Sequence, residues 1–151
     1  TLSVGKIFFS HLAREVAEFD VPQDIFRNNG AEAGTAMPES INVKNALSPL
    51  TGFIRVYALE NRISDSESLQ RLKKLLRLKI LPESDCQELE NMYCQLMEIR
   101  FRSQVNAVLA NRAPDNMVGQ DELTAIEQTM VRKAFSEIRR YQEMITAYFS
   151  P

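Results

Sequence analysis

The sequence predicts an all-α protein: an antiparallel helical bundle with two long C-terminal helices and a small β-hairpin insertion within residues 20–48. Three observations lead there. Apolar residues recur at helical spacing through most of the chain, the breakers Pro and Gly gather in a few short stretches, and capping signatures open several of the segments between them. With 151 residues, 44% hydrophobic and 25% charged, residues 1–151 are expected to form a single helical domain around one core.

Leu2 to Phe19 reads as the first helix, with Ile7, Phe8, Leu12, Val16 and Phe19 on one face, and it stops at Asp20-Val21-Pro22. Pro22, Gly30, Gly34 and Pro38 keep any helix from running through residues 20–48. Ile25-Phe26-Arg27 and Ile41-Asn42-Val43-Lys44 are the candidate strands of the hairpin there. The second helix is expected from Pro49, whose fixed φ suits the first helical position, to about Asn61. The third follows the capping box Ser64-Asp65-Ser66-Glu67 and runs through Leu69, Leu72, Leu75 and Leu76 to Lys79. Leu81-Pro82-Glu83-Ser84 opens the fourth, which reaches about Arg112, a length of ~45 Å. Ala113-Pro114-Asp115-Asn116 breaks it. The fifth starts at the capping box Thr124-Ala125-Ile126-Glu127 and ends at Phe149. Two such helices joined by a short turn pack antiparallel.

The net charge of -2 provides no general attraction to nucleic acid or to an anionic membrane. No apolar run nears the roughly 18 residues that span a bilayer. The five glycines stand singly, with no Walker-type loop and no GxGxxG. His11 is the only histidine, and Cys86 and Cys94 lack CxxC spacing, so neither metal nor cofactor is expected. On one helix those cysteines lie ~12 Å apart, beyond disulfide reach. Free thiols suit the cytoplasm. No Gly-Ser pair with spaced aspartates is present to hold two metals on a triphosphate. No catalytic residue is assigned, and the chain alone is not expected to be an enzyme. It starts at Thr1, and Leu2–Phe9 is too short and weakly charged for a signal peptide, so a piece of a longer protein is expected.

Polar residues on apolar faces supply the candidate site. Wound at about 100° per residue, the fourth helix puts Gln95, Glu98, Arg102 and Asn106 on a polar strip. Leu89, Tyr93, Met97, Ala107 and Val108 fill the opposite arc, with Arg100 and Gln104 in its middle. Leu50, Phe53, Ile54, Val56, Tyr57, Ala58 and Leu59 surround the second helix, leaving Arg55 no obvious solvent side. On the fifth, Glu127, Glu137 and Gln142 sit inside or beside an arc that includes Val131, Phe135, Ile138 and Tyr141. A buried guanidinium needs a partner, so Arg55 and Arg100 are expected against Glu127 or Glu137, with Gln104 and Gln142 completing the network. Two readings stand: an internal network that fixes helix register, or an arginine-lined pocket for a phosphate or carboxylate. On the third helix Arg71, Lys73, Lys74, Arg77 and Lys79 flank a leucine stripe, either as a solvated face or as a dock for an acidic, phosphate-rich or membrane partner.

Four blocks carry a family resemblance, strongest from Val43 to Gln142. Val43-Lys44, Pro49 and Arg55-Val56-Tyr57-Ala58-Leu59 are similar to an "LK…P…R.YAL" block, and Arg100-Phe101-Arg102-Ser103-Gln104 to "LRLRHQ". Pro114-Asp115-Asn116 with Leu123 and Glu127 resembles "PDN…L…E", and Lys133-Ala134-Phe135, Ile138 and Gln142 follow a last helix. These are blocks of the nucleotidyltransferase substrate-binding domain family. Two departures stand out: Val21 to Phe26 replaces an apolar, Gly-rich stretch, and Ser103 replaces the His of "RHQ". In that family the domain closes bacterial signal-transduction proteins, after cyclic-nucleotide-binding, paired CBS and nucleotidyltransferase-like domains. The resemblance implies a non-catalytic substrate-binding or regulatory domain, partnered by the nucleotidyltransferase-like domain of the same chain. Arg55, Arg100 and Gln104, with Lys44 of the first block, would stand nearest a nucleotide or protein substrate. The alternative is a helical interaction or dimerisation module, a homodimer, which an exposed apolar stripe on the fourth or fifth helix would favour.

Overall fold

A computed structural model describes residues 2–21 and 38–149. In chain order these form α1 (Leu2–Ala17), β1 (Ser40–Asn42), α2 (Lys44–Glu60), α3 (Ser68–Arg77), α4 (Glu83–Leu109), β2 (Met117–Gly119), a short 3-10 turn (Gln120–Glu122) and α5 (Ala125–Phe149). The fold is all-α with one small antiparallel strand pair, as the sequence predicts.

The α5 start follows its capping box in both directions. The Thr124 N–H donates to Glu127 Oε2 at 2.9 Å, and the Glu127 N–H donates to Thr124 Oγ1 at 3.2 Å. Three other helices end alike, without glycine. Arg62, Lys79 and Asn111 take φ of 59°, 55° and 54°. The following N–H groups of Ile63, Ile80 and Arg112 reach back to the carbonyls of Ala58, Leu75 and Ala107 at 2.8, 3.0 and 2.8 Å. This is the Schellman closure, and burial of Ile63 and part-burial of Ile80 supply its apolar contact.

Four expectations need correction. β1 pairs with β2, in the register Ser40 to Gly119, Ile41 to Val118 and Asn42 to Met117. Its partner is therefore the segment after the Pro114-Asp115-Asn116 turn, while the candidate strand at 25–27 lies outside the described residues. Second, α2 begins at Lys44 and carries Pro49 inside it. The buried Ala46 and Leu47 draw the added first turn into the core, and Asn42 Oδ1 accepts the Lys44 N–H at 3.0 Å. Third, α3 follows Ser64-Asp65-Ser66-Glu67 as expected, but that stretch closes no capping box: Glu67 is the N-cap, with no side-chain cap hydrogen bond, and Asp65 bonds Lys74 Nζ. Fourth, Ile7 and Phe8 are exposed, and α1 buries Ala13 and Val16.

α2 sits at the centre, packed on α1, α3, α4 and α5. Gly52 permits the close approach of α1: a Cβ there would come within 2.7 Å of Val16 Cγ2. α4 and α5 run antiparallel, since Glu88 meets Arg140 near one end of α4 and Arg102 meets Glu127 near the other. Glu127 lies only two residues inside α5, so the last two turns of α4 run past the start of its partner. There Phe101, Val105, Val108 and Leu109 stay exposed.

Candidate functional site

The strand pair brings three of the four expected ligand residues to one end of the bundle. The Val43 N–H donates to the Asn116 carbonyl at 3.0 Å, which sets Lys44 beside the turn that joins α4 to β2. From α4, Arg100 Nε donates to Asn116 Oδ1 at 2.9 Å, and Gln104 Nε2 donates to the Asp115 carbonyl at 3.3 Å. The turn is held from within as well, by the Met117 N–H on Asp115 Oδ1. Arg100 is half-buried and makes no ion pair among the described residues. With Nε fixed, its two terminal amino groups keep the fork that suits a carboxylate or phosphate. Arg55 is elsewhere: it lies eleven positions along α2 from Lys44, ~16 Å down the helix axis, and is exposed.

The expected pairing of Arg55 and Arg100 with Glu127 or Glu137 is replaced by other partners. Glu127 takes a bidentate pair from Arg102, Nη1 at 2.7 Å and Nη2 at 3.0 Å, and Arg102 Nη2 also donates to the Glu122 carbonyl. The reason is the phase of α4. Its buried stripe is Cys86, Leu89, Met92, Leu96 and Ile99, so the next inward position is Arg102, three residues on. The Arg102 guanidinium, helped by the Thr124 N–H, holds the Glu127 carboxyl down to about 2. A depressed folded-state pKa adds stability that is fully present above the ordinary value of 4.5 and is lost as pH falls through about 2. Glu127→Gln is therefore expected to lower stability at neutral pH by about 1 kcal/mol, since Arg102 is 39% exposed, and to flatten the acid limb below pH 4.5. Thermal melts across pH check this, and parallel acid limbs in both proteins would contradict it.

At the other end Arg140 gathers three carboxylates. Its Nε donates to Glu137 at 2.6 Å, and Nη2 donates to Glu88 at 2.7 Å and to Asp85 at 3.3 Å. Burial pulls the Arg140 pKa down, but these bonds and the adjacent Tyr141 outweigh it and raise it. The Tyr141 hydroxyl joins the cluster through Glu88 at 3.0 Å, and burial pushes its pKa up. Gln142 serves α1 instead, its Nε2 donating to the Val16 and Phe19 carbonyls at 3.0 and 2.9 Å. The expected network residues Glu127, Glu137 and Gln142 thus belong to three separate clusters.

Asn116, Arg102 and Arg140 received no role from sequence. Asn116 stands in the Pro114-Asp115-Asn116 turn, and a polar residue at a turn between two long helices is the available signal for it. Among the described residues no group of three His, Cys, Asp or Glu side chains could hold a metal ion. Cys86 and Cys94 are free, one buried and one exposed. No helix among the described residues is long and apolar enough to cross a membrane.

No curated protein and no solved structure matches the chain. A family model does, over residues 6–149, and so takes in every residue of the Lys44, Arg100, Gln104 and Asn116 assembly. The chain belongs to the family described as "Putative nucleotidyltransferase substrate binding domain".

Proposed function

We propose that this chain is a non-catalytic substrate-binding and regulatory domain of a nucleotidyltransferase-like signal-transduction protein of bacteria, acting in the cytoplasm beside the nucleotidyltransferase-like domain of the same chain. Arg100, Gln104 and Lys44 present the binding edge, and the ligand is the phosphate-bearing part of a nucleotide. One observation carries the reading: Asn116 fixes Arg100 through Nε, leaving a positioned, half-buried fork without an ion pair among the described residues. Family membership supports the general role, substrate binding.

Isothermal titration with nucleoside triphosphates tests it. Arg100→Ala is expected to weaken binding at least about tenfold, and Arg100→Lys to recover only part, because an ammonium cannot reproduce the fork. Equal affinity in wild type and Arg100→Ala would sink the reading.

A second reading, a dimerisation module, draws on the stripe of Phe101, Val105, Val108 and Leu109 along one side of the overhanging end of α4. Sedimentation at micromolar concentration separates the two. A dimer abolished by Val108→Glu would favour assembly, and a monomer would remove it.

A further inference from the structure

The seam where α1 packs on α5 opens into a recess of about 350 Å³, within the ~300–1,000 Å³ range of small-molecule sites. Its floor is apolar, built from the buried Ala13 and Ile145 and the half-buried Ala17 and Phe149. The two alanines make the room, since a larger side chain on either would fill the seam. Arg14 and Glu18 also line the recess, both exposed and one turn apart on α1. At that spacing their Cβ atoms lie about 6 Å apart, yet the cation precedes the acid, the weaker order for a helical pair. Neither makes an ion pair, with the other or with any described residue. The hydroxyls beside them are engaged: Ser10 donates to the Phe149 carbonyl at 3.4 Å and Thr146 to the Gln142 carbonyl at 2.8 Å. The two charges are therefore the groups that select a ligand.

We propose that this recess binds a free α-amino acid with an apolar side chain. The carboxylate of the amino acid meets the Arg14 guanidinium, its ammonium meets the Glu18 carboxylate, and its side chain covers Ala13, Ala17, Ile145 and Phe149. An anion alone would be attracted by Arg14 and repelled by Glu18, and a cation alone the reverse. A molecule with both charges on one carbon satisfies the pair together, through charge-assisted hydrogen bonds at each end. The recess ends at Phe149, ~33 Å along α5 from Glu127, so it is separate from the Arg100 edge and does not rest on it.

Proton–nitrogen correlation spectra, titrated at constant ionic strength with leucine, isocaproate, isoamylamine and glycine, provide the test. The last three lack the ammonium, the carboxylate and the apolar side chain in turn. The Ala13, Ala17 and Thr146 amides are expected to move and saturate with leucine, at least about tenfold tighter than with the other three. Arg14→Gln should reduce leucine to the level of isoamylamine, and Glu18→Gln to that of isocaproate, each a loss of at least about tenfold. Both positions are exposed, so the fold tolerates either change, and circular dichroism verifies it. Ala17→Leu fills the recess and should abolish the response, whereas Arg100→Ala should leave it intact. Amides that do not saturate with leucine, or that respond equally to isocaproate or isoamylamine, overturn the proposal. So does binding of a helical peptide with Glu and Lys one turn apart without any response to leucine, which would mark a groove for a partner helix instead.

Discussion

Phe53→Ala is expected to cost about 4 kcal/mol and to lower the melting temperature by about 10 °C. Phe53 is 1% exposed on α2, the helix that touches all four others. Its ring lies 4.7 Å from Tyr57 and 4.8 Å from Tyr141, so it joins successive turns of α2 and ties that helix to α5. Truncation would remove two aromatic contacts and open a cavity at a place where no helix can move inward without pulling the others with it. Phe53→Leu, which keeps most of the volume, should cost only about 1.5 kcal/mol. Chemical denaturation of both variants checks this. A loss under about 1 kcal/mol for the alanine variant would show that the centre can collapse, against the packing described.

Arg140→Met should produce the next largest effect, about 2–3 kcal/mol. The guanidinium is 42% exposed, so the loss falls short of that for a fully buried pair. What makes it large is what is left behind: Asp85, Glu88 and Glu137 would face one another, and Lys133, 3.8 Å from Glu88 and 70% exposed, cannot replace the guanidinium among them. Repulsion among carboxylates is screened by salt, so added sodium chloride should recover part of the loss in Arg140→Met and change the wild type less. Equal salt responses in the two proteins would contradict the account.

The helices were legible because each carries its own periodic signal, and the α5 cap was legible because Thr124 and Glu127 satisfy each other locally. The helix ends were harder. Arg62 and Lys79 adopt the left-handed conformation without being glycine, so no residue type announced the stop. The strand pair was hidden for another reason: nothing local in Ser40-Ile41-Asn42 points to Met117-Val118-Gly119. The site suffered from an error of phase. Leu89, Tyr93 and Met97 define one plausible stripe on α4 and Leu89, Met92, Leu96 and Ile99 another, and only the packing against α2, α3 and α5 selects the second. That rotation moves Arg102 onto Glu127 and leaves Arg100 for the turn.

The two three-residue strands also shape how the chain reaches its final form. α4, the turn and α5 are neighbours in sequence and can assemble as a local hairpin within a short search. Joining Ile41 to Val118 requires closing a loop that contains α2, α3 and α4, an entropic cost that grows with the logarithm of loop length. That closure is accordingly among the late events of folding, and its reversal would be a local opening that exposes the buried Ile41 and Val118. Because the Val43 and Gln120 amides seal the two ends of the ladder, such an opening would release the Asn116 turn while most of the helical core stayed folded. The edge that holds Arg100 is thus joined to a contact of long sequence separation, which forms after the helices it connects.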